Sequence, residues 1–283
     1  MTLLARMPVL ALVLAALGAC RRTERAPMRE SVAAAAAPAA TRLGGLPEGS
    51  FAYPDTAGAE LLALAPVPEP LAVRWAMCGT GVKTIEYART QTRQDSSSGR
   101  QVAGNLRYEG GQVFRTRNAP VDPDRSCYIT ADSGMASQAV LPGPLRAEAC
   151  DSATIRAASQ RQGRTVSACT VLAQAGGGRR VLAMQFALVD TMALASLVLV
   201  APQRVLYLDF PAKYPGPEED IWRVDDGGRF EPSSFTILFF TRCTDADCLA
   251  LTWAGSEGED EYLAVADSAD ALRVAKQQYR YWF

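Results

Sequence analysis

Apolar residues recur at every second position along much of this chain, and sustained helical periodicity is rare, which commits the fold to half-buried strands rather than helices. Leu71 to Cys78 (LAVRWAMC) alternates large apolar with smaller or polar side chains, and Val82 to Ala88 reads as its successor. Asn105 to Thr116 reads as a hairpin; a three-residue loop, Glu109-Gly110-Gly111, puts Leu106, Tyr108 and Phe114 on one face. Pro142-Gly143-Pro144 is the first strong punctuation, a candidate split near 142–148, and a short helix is expected over 146–161.

Beyond that point strands dominate again. Thr165 to Ala173 reads as a strand, Gly176-Gly177-Gly178 as a hairpin turn, and Arg179 to Val200 as two buried strands joined near Asp190-Thr191. Arg204 to Phe210 adds another strand, with 211–217 as a loop. Ser234 to Thr241 (SFTILFFT) is apolar on both faces and reads as a central strand; Leu249, Leu251 and Trp253 alternate on the strand that returns from it. Asp267 or Ser268 is placed to cap a final helix running to about Gln278. The fold class expected is α+β and β-dominated: antiparallel strands and hairpins with one or two short helices, stabilised by disulfides.

Six cysteines follow Cys20: Cys78, Cys127, Cys150, Cys169, Cys243 and Cys248. An even set of this kind suits an oxidising compartment and up to three disulfides. Cys243–Cys248 is the favoured pair, because four intervening residues can turn the chain back across a hairpin. Cys78–Cys127 and Cys150–Cys169 are the simplest sequential partners, with the other pairings left open. The chain has no histidine, which excludes Ser-His-Asp and Cys-His nucleophilic sites and histidine-held zinc, iron or copper. Lysine is confined to Lys83, Lys213 and Lys276, with no SxxK spacing. Paired carboxylates are the catalytic machinery left open.

The beginning of the chain has a different character. Arg6 precedes an apolar run from Met7 to Leu17, and small residues Gly18 and Ala19 lead into Cys20. Charge, apolar core and small-residue cleavage site in that order read as a signal peptide over 1–19, too short to span a bilayer as a helix. Leu17-Gly18-Ala19-Cys20 resembles the lipobox of bacterial lipoproteins. The resemblance implies cleavage before Cys20, a diacylglyceryl group on its thiol, and, with Arg21 following, sorting to the outer membrane on its periplasmic face. Residues 20–50 then read as a lipidated cysteine and flexible linker. Arg21, Arg22, Arg25 and Arg29 precede an alanine-rich stretch, which as coil reaches roughly 30 Å. Residues 51–283 read as an extracytoplasmic β-rich domain.

A formal net charge of −1 gives no footprint for nucleic acid. The charge is uneven: residues 213–283 carry 7 basic and 14 acidic side chains, residues 51–212 carry 16 and 13. Two acidic groups are candidate ligand sites. Glu257, Glu259, Asp260 and Glu261 form one, read as an acidic loop that could offer oxygen ligands to calcium, though no EF-hand spacing is present. Glu218, Glu219, Asp220, Asp225 and Asp226 surround Trp222, an arrangement that suits sugar stacking or two-carboxylate glycoside hydrolysis. Tyr279 to Phe283 alternates aromatics like the last strand of an outer-membrane barrel, but the many ten-residue strands of such a barrel are missing. With no catalytic motif present, the sequence favours a membrane-anchored binding or assembly module, partnered by an envelope protein or a cell-wall glycan. The alternative is a carboxylate-based hydrolase of cell-wall glycans.

Overall fold

The computed structural model describes residues 48–117, 120–143, 149–214, 216, 221–222, 224–225, 230–267 and 270–283. The expectations for residues 1–47, including Cys20, and for Glu218, Glu219, Asp220 and Asp226 lie outside the described residues.

Strands β1 (Gly49–Pro54), β2 (Glu60–Ala63), β3 (Trp75–Cys78), β4 (Gly81–Gln91), β5 (Gly111–Thr116) and β6 (Cys127–Thr130) close into an antiparallel barrel in the order β1-β2-β5-β4-β3-β6. A barrel of six short strands has room inside only for small and medium side chains. Ala52, Ala63 and Ala76 accordingly interleave with Leu61, Ile85 and Phe114 in its interior. Cys78 and Cys127 stand directly opposite each other on β3 and β6 and are disulfide-bonded.

A short helix α1 (Ser133–Ser137) leads out of the barrel, its first turn capped by Asp132, which accepts from the Met135 N–H at 2.9 Å. A longer helix α2 (Ser152–Gln162) starts on Asp151, which accepts from both the N–H and the hydroxyl of Thr154 at 2.8 Å. It ends on Gly163, whose left-handed backbone (φ 62°) carries no Cβ penalty. Strands β7 (Val166–Ala175), β8 (Arg179–Phe186), β9 (Met192–Ala201) and β10 (Arg204–Lys213) form one four-stranded meander. Strands β11 (Phe235–Cys243), β12 (Ala246–Ala254), β13 (Gly258–Ala266) and β14 (Leu272–Tyr281) form a second.

The second meander is the middle layer. One of its faces (Ile237, Leu249, Leu251, Trp253 and Ala264 among others) packs on Val181, Leu197 and Leu206 of the first meander. Its other face, with Phe239, Ala250, Leu263 and Val265, packs on Phe51, Met77 and Tyr128 of the barrel wall. A β-bulge between Ile237 and Phe239 lets the apolar run of β11 serve both sides. Helix α2 covers the outer face of the first meander through Ala158, against Val171, Leu182 and Val198, and Cys150–Cys169 ties its approach to β7. Cys243–Cys248 spans the β11–β12 hairpin. The β-dominated antiparallel class and all three expected cysteine pairs are therefore present.

Several local expectations are overturned. Residues 105–116 are not a hairpin: Leu106–Tyr108 is a turn of 3-10 helix, and β5 pairs with β2 and β4 instead. Gly111 is needed there because β5 enters tight against β2, where an added Cβ would stand 2.4 Å from the Ala63 carbonyl oxygen. Only Trp75–Cys78 of the first expected strand pairs, since Pro70–Ala72 turn as 3-10 helix. Helix α2 starts at Ser152 rather than 146, at the residue following its cap. Pro211 lies inside β10, tolerated because β10 is a sheet edge. Ser234–Thr241 yields the edge strand β11 rather than a central one; its two apolar faces reflect burial between layers, not position in the ladder. The final helix is absent. Residues 272–281 are β14, with every residue from Leu272 to Tyr281 except Ala275 matched to β13, and Asp267 closes the preceding turn by accepting from the Ala271 N–H.

Candidate functional site

The expected acidic loop 257–261 is mostly strand, because β13 begins at Gly258. An added Cβ on that glycine would stand 2.2 Å from the Arg280 carbonyl oxygen, so the close approach to β14 requires it. Strand alternation then divides the acids. Glu259 and Glu261 share the face of Leu263 and Val265, toward the barrel, while Asp260 shares the face of Tyr262, toward the first meander. This is why the calcium arrangement does not form: among the described residues no group of three or more His, Cys, Asp or Glu side chains is placed to hold a metal ion.

Toward the barrel, Glu259 and Glu261 enter a buried polar cluster. The Tyr53 hydroxyl of β1 donates to Glu261 Oε2 at 2.8 Å, and Gln278 Nε2 of β14 donates to the Tyr53 oxygen at 2.6 Å. Arg280, almost wholly buried, lies over the Tyr53 ring at 4.9 Å. Its guanidinium donates to Glu259 Oε1 at 3.3 Å and to the carbonyl oxygens of Gln101 and Asp124 at 3.0 and 2.8 Å. The Ser126 hydroxyl donates to Glu259 Oε1 at 3.3 Å. Burial pushes the Glu261 carboxyl up to about 8, with the charge of Glu259 adding to the rise; the hydroxyls of Ser126 and Tyr53 and the Arg280 charge oppose it. Burial and the Glu261 carboxylate likewise hold the Tyr53 phenol well above its ordinary range.

On the opposite face a second acidic group is equally occupied. Asp225 Oδ1 accepts from the N–H and hydroxyl of Ser256, and Oδ2 accepts from the N–H groups of Glu257 and Gly258 and from the Tyr279 hydroxyl, all between 2.9 and 3.1 Å. The carboxylate thus organises the β12–β13 turn. Asp260 accepts from Tyr262 and Gln277, and burial raises its carboxyl above the ordinary range despite those bonds. Trp222 is half-buried: its indole N–H donates to the Phe210 carbonyl at 2.9 Å and its ring packs 5.6 Å from Phe230, in a cluster that includes Phe235 and Trp253.

The structure therefore separates the residues that the sequence groups together. Glu259 and Glu261 lie on one face of β13; Asp225 meets the backbone of Glu257 and, through Tyr279, β14; Trp222, half-buried, packs against the core. Tyr53, Gln278 and Arg280 complete the buried cluster and were not singled out as site residues. For Gln278 and Arg280 the alternation along QQYRY was the available signal, masked at Gln278 by the expected helix and at Arg280 by the attention given to the aromatics of 279–283. Comparison of the chain with protein-family models, curated proteins and solved structures finds no match.

Proposed function

We propose that this chain is an exported lipoprotein, anchored through Cys20 on the periplasmic face of a bacterial outer membrane, that works as a binding or assembly module of the cell envelope. The single observation carrying the extracytoplasmic part is that every cysteine after Cys20 is in a disulfide, one in each β layer. Thiols pair so completely where the compartment is oxidising. The lipobox-like Leu17-Gly18-Ala19-Cys20 and the flexible stretch after it supply the tether. Two or more acyl chains hold such a protein durably on a bilayer.

A binding role is supported over glycan hydrolysis by what the acidic side chains do. A glycosidase needs two carboxyl groups flanking one bond of a substrate. Asp225 is saturated by its turn, and Glu259 and Glu261 are walled in between barrel and sheet.

The test is a side-by-side comparison of the wild type and Cys20→Ala, grown with an alkyne-tagged fatty acid and fractionated. The wild type should be labelled and membrane-bound, Cys20→Ala unlabelled; label retained on Cys20→Ala removes the anchor from the reading. A stoichiometric envelope protein retained by the purified wild type supports the binding role. Release of soluble glycan fragments from purified cell wall would establish the hydrolase instead.

A further inference from the structure

Tyr53, Glu261 and Gln278 form a hydrogen-bonded triangle whose protons can be counted. Glu261 and Gln278 are directly opposed in the β13–β14 ladder. Glu261 Oε1 and Gln278 Oε1 are both buried and have no partner as placed; the Ser126 hydroxyl, close enough to act on both carboxyl groups, gives its one proton to Glu259 Oε1. An ionised carboxylate only accepts, a phenol has one proton to give, and an amide donates solely through its nitrogen. As placed, the amide donates to the Tyr53 oxygen, Tyr53 donates to Glu261 Oε2, and two oxygens are left bare. Turning the amide over does not help. Its oxygen would then stand 2.6 Å from the Tyr53 oxygen, which has a single proton for two acceptors at 2.6 and 2.8 Å. In either orientation the triangle is one hydrogen short. Leaving such acceptors bare in a buried site is unfavourable, because the water each gave up is not replaced.

The charges around Glu261 make the same count. From β14, Arg280 faces it and is engaged by Glu259, while Lys276 donates to the Gly49 carbonyl oxygen of β1. From the segment before β6 come the Ser126 hydroxyl and Asp124, whose carboxylate is mostly exposed. From β12 comes Thr252, opposite Glu261 in the ladder; from β1, Tyr53. One buried guanidinium thus faces two buried carboxyl groups.

We propose that Glu261 is a neutral carboxylic acid in the folded protein and that its proton completes the hydrogen bonding of the buried triangle where the barrel meets the middle sheet, so that the folded state is destabilised when the proton is lost. The proton sits on Oε1, the bare oxygen, or, with the amide turned, on Oε2 toward the Tyr53 oxygen. The raised Glu261 carboxyl agrees with this. A carboxyl raised on folding binds a proton in the native state that the unfolded chain has released. Stability is therefore fully present below the ordinary value of 4.5 and is lost as pH climbs toward about 8. With no histidine in the chain, no imidazole titrates in that window, and the comparison with Glu261→Gln separates Glu261 from the raised Asp260 carboxyl.

The experiment is urea unfolding of the full chain in detergent, followed by tryptophan fluorescence from about pH 6 to 7.5, for the wild type and Glu261→Gln. The wild-type unfolding constant should rise about tenfold per pH unit. Glu261→Gln, whose amide can donate as the acid does, should be flat. Equal slopes in the two proteins, or a flat wild type, overturns the proposal. Infrared spectroscopy of the wild type alone keeps the question decidable if the variant fails to fold. A carboxylic-acid carbonyl band should persist near neutral pH, where ordinary acids are ionised, and vanish in strong alkali. Its absence at neutral pH overturns the proposal equally.

Discussion

Tyr53 and Glu261 lie 208 residues apart in the chain and are joined by a buried 2.8 Å hydrogen bond across the contact between the barrel and the middle sheet. Tyr53→Phe keeps the ring under Arg280 and removes only the hydroxyl. It leaves Gln278 Nε2 and Glu261 Oε2 each without a partner, so a loss of about 1–3 kcal/mol is expected. The shift of the urea midpoint at constant slope measures it, and an unchanged midpoint would show that the triangle carries no weight in the contact.

Asp225 is the organiser of the β12–β13 turn. Replacing it with alanine strands the N–H groups of Ser256, Glu257 and Gly258 and the hydroxyl of Tyr279. Bonds to a carboxylate are stronger than neutral ones, and a cost of about 3 kcal/mol is expected. Amide hydrogen exchange should accelerate at 256–258 first. Uniform acceleration across the sheet would instead indicate a global effect.

The three disulfides close loops of different length, with sequence separations of 49, 19 and 5. Chain-entropy reasoning makes Cys78–Cys127 worth about 4 kcal/mol, Cys150–Cys169 about 3 and Cys243–Cys248 about 2. Paired serine substitutions, compared by thermal or urea unfolding, should destabilise in that order. The reverse order would mean that strain or residual structure, not loop closure, sets their contribution.

Asp151 caps α2 and also pairs with Arg180 at 2.8 Å. The bonds from Thr154, backbone and then side chain, hold its carboxyl well below the ordinary value of 3.8, with Arg180 adding to the effect. A depressed carboxyl stabilises above its unfolded value and loses that contribution as pH falls below it. Asp151→Ala should cost about 1 kcal/mol at neutral pH. The difference from the wild type should shrink in strong acid. Amide protection along 154–158, measured at two pH values, checks both statements.

Much of the architecture was legible from alternation alone. The strands over 166–210 and the Cys243–Cys248 hairpin follow from local pattern, because each meander strand pairs with its sequence neighbour. The barrel order was not legible. β5 pairs with β2 across some 50 intervening residues, and nothing local to Gly111 announces that partner. Residues 267–278 were misread because their alanines favour helix; pairing with β13 overrides so weak a preference. For the candidate site, the acids at 257–261 were visible, but the division between Glu259, Glu261 and Asp260 depends on a strand starting at Gly258. Tyr53 became meaningful only once two distant parts of the chain were brought face to face.

The middle sheet is also made after the two layers that flank it. When synthesis has reached residue 230, the barrel has shown Phe51, Met77 and Tyr128, and the first meander Val181, Leu197 and Leu206, to nothing that can cover them. Both surfaces wait on strands β11 to β14. Folding intermediates with such surfaces open are prone to associate. A chain cut short before β11 would therefore be two sticky halves rather than a smaller version of the protein, and arrival of β11 to β14 acts as the step that renders both halves inert at once.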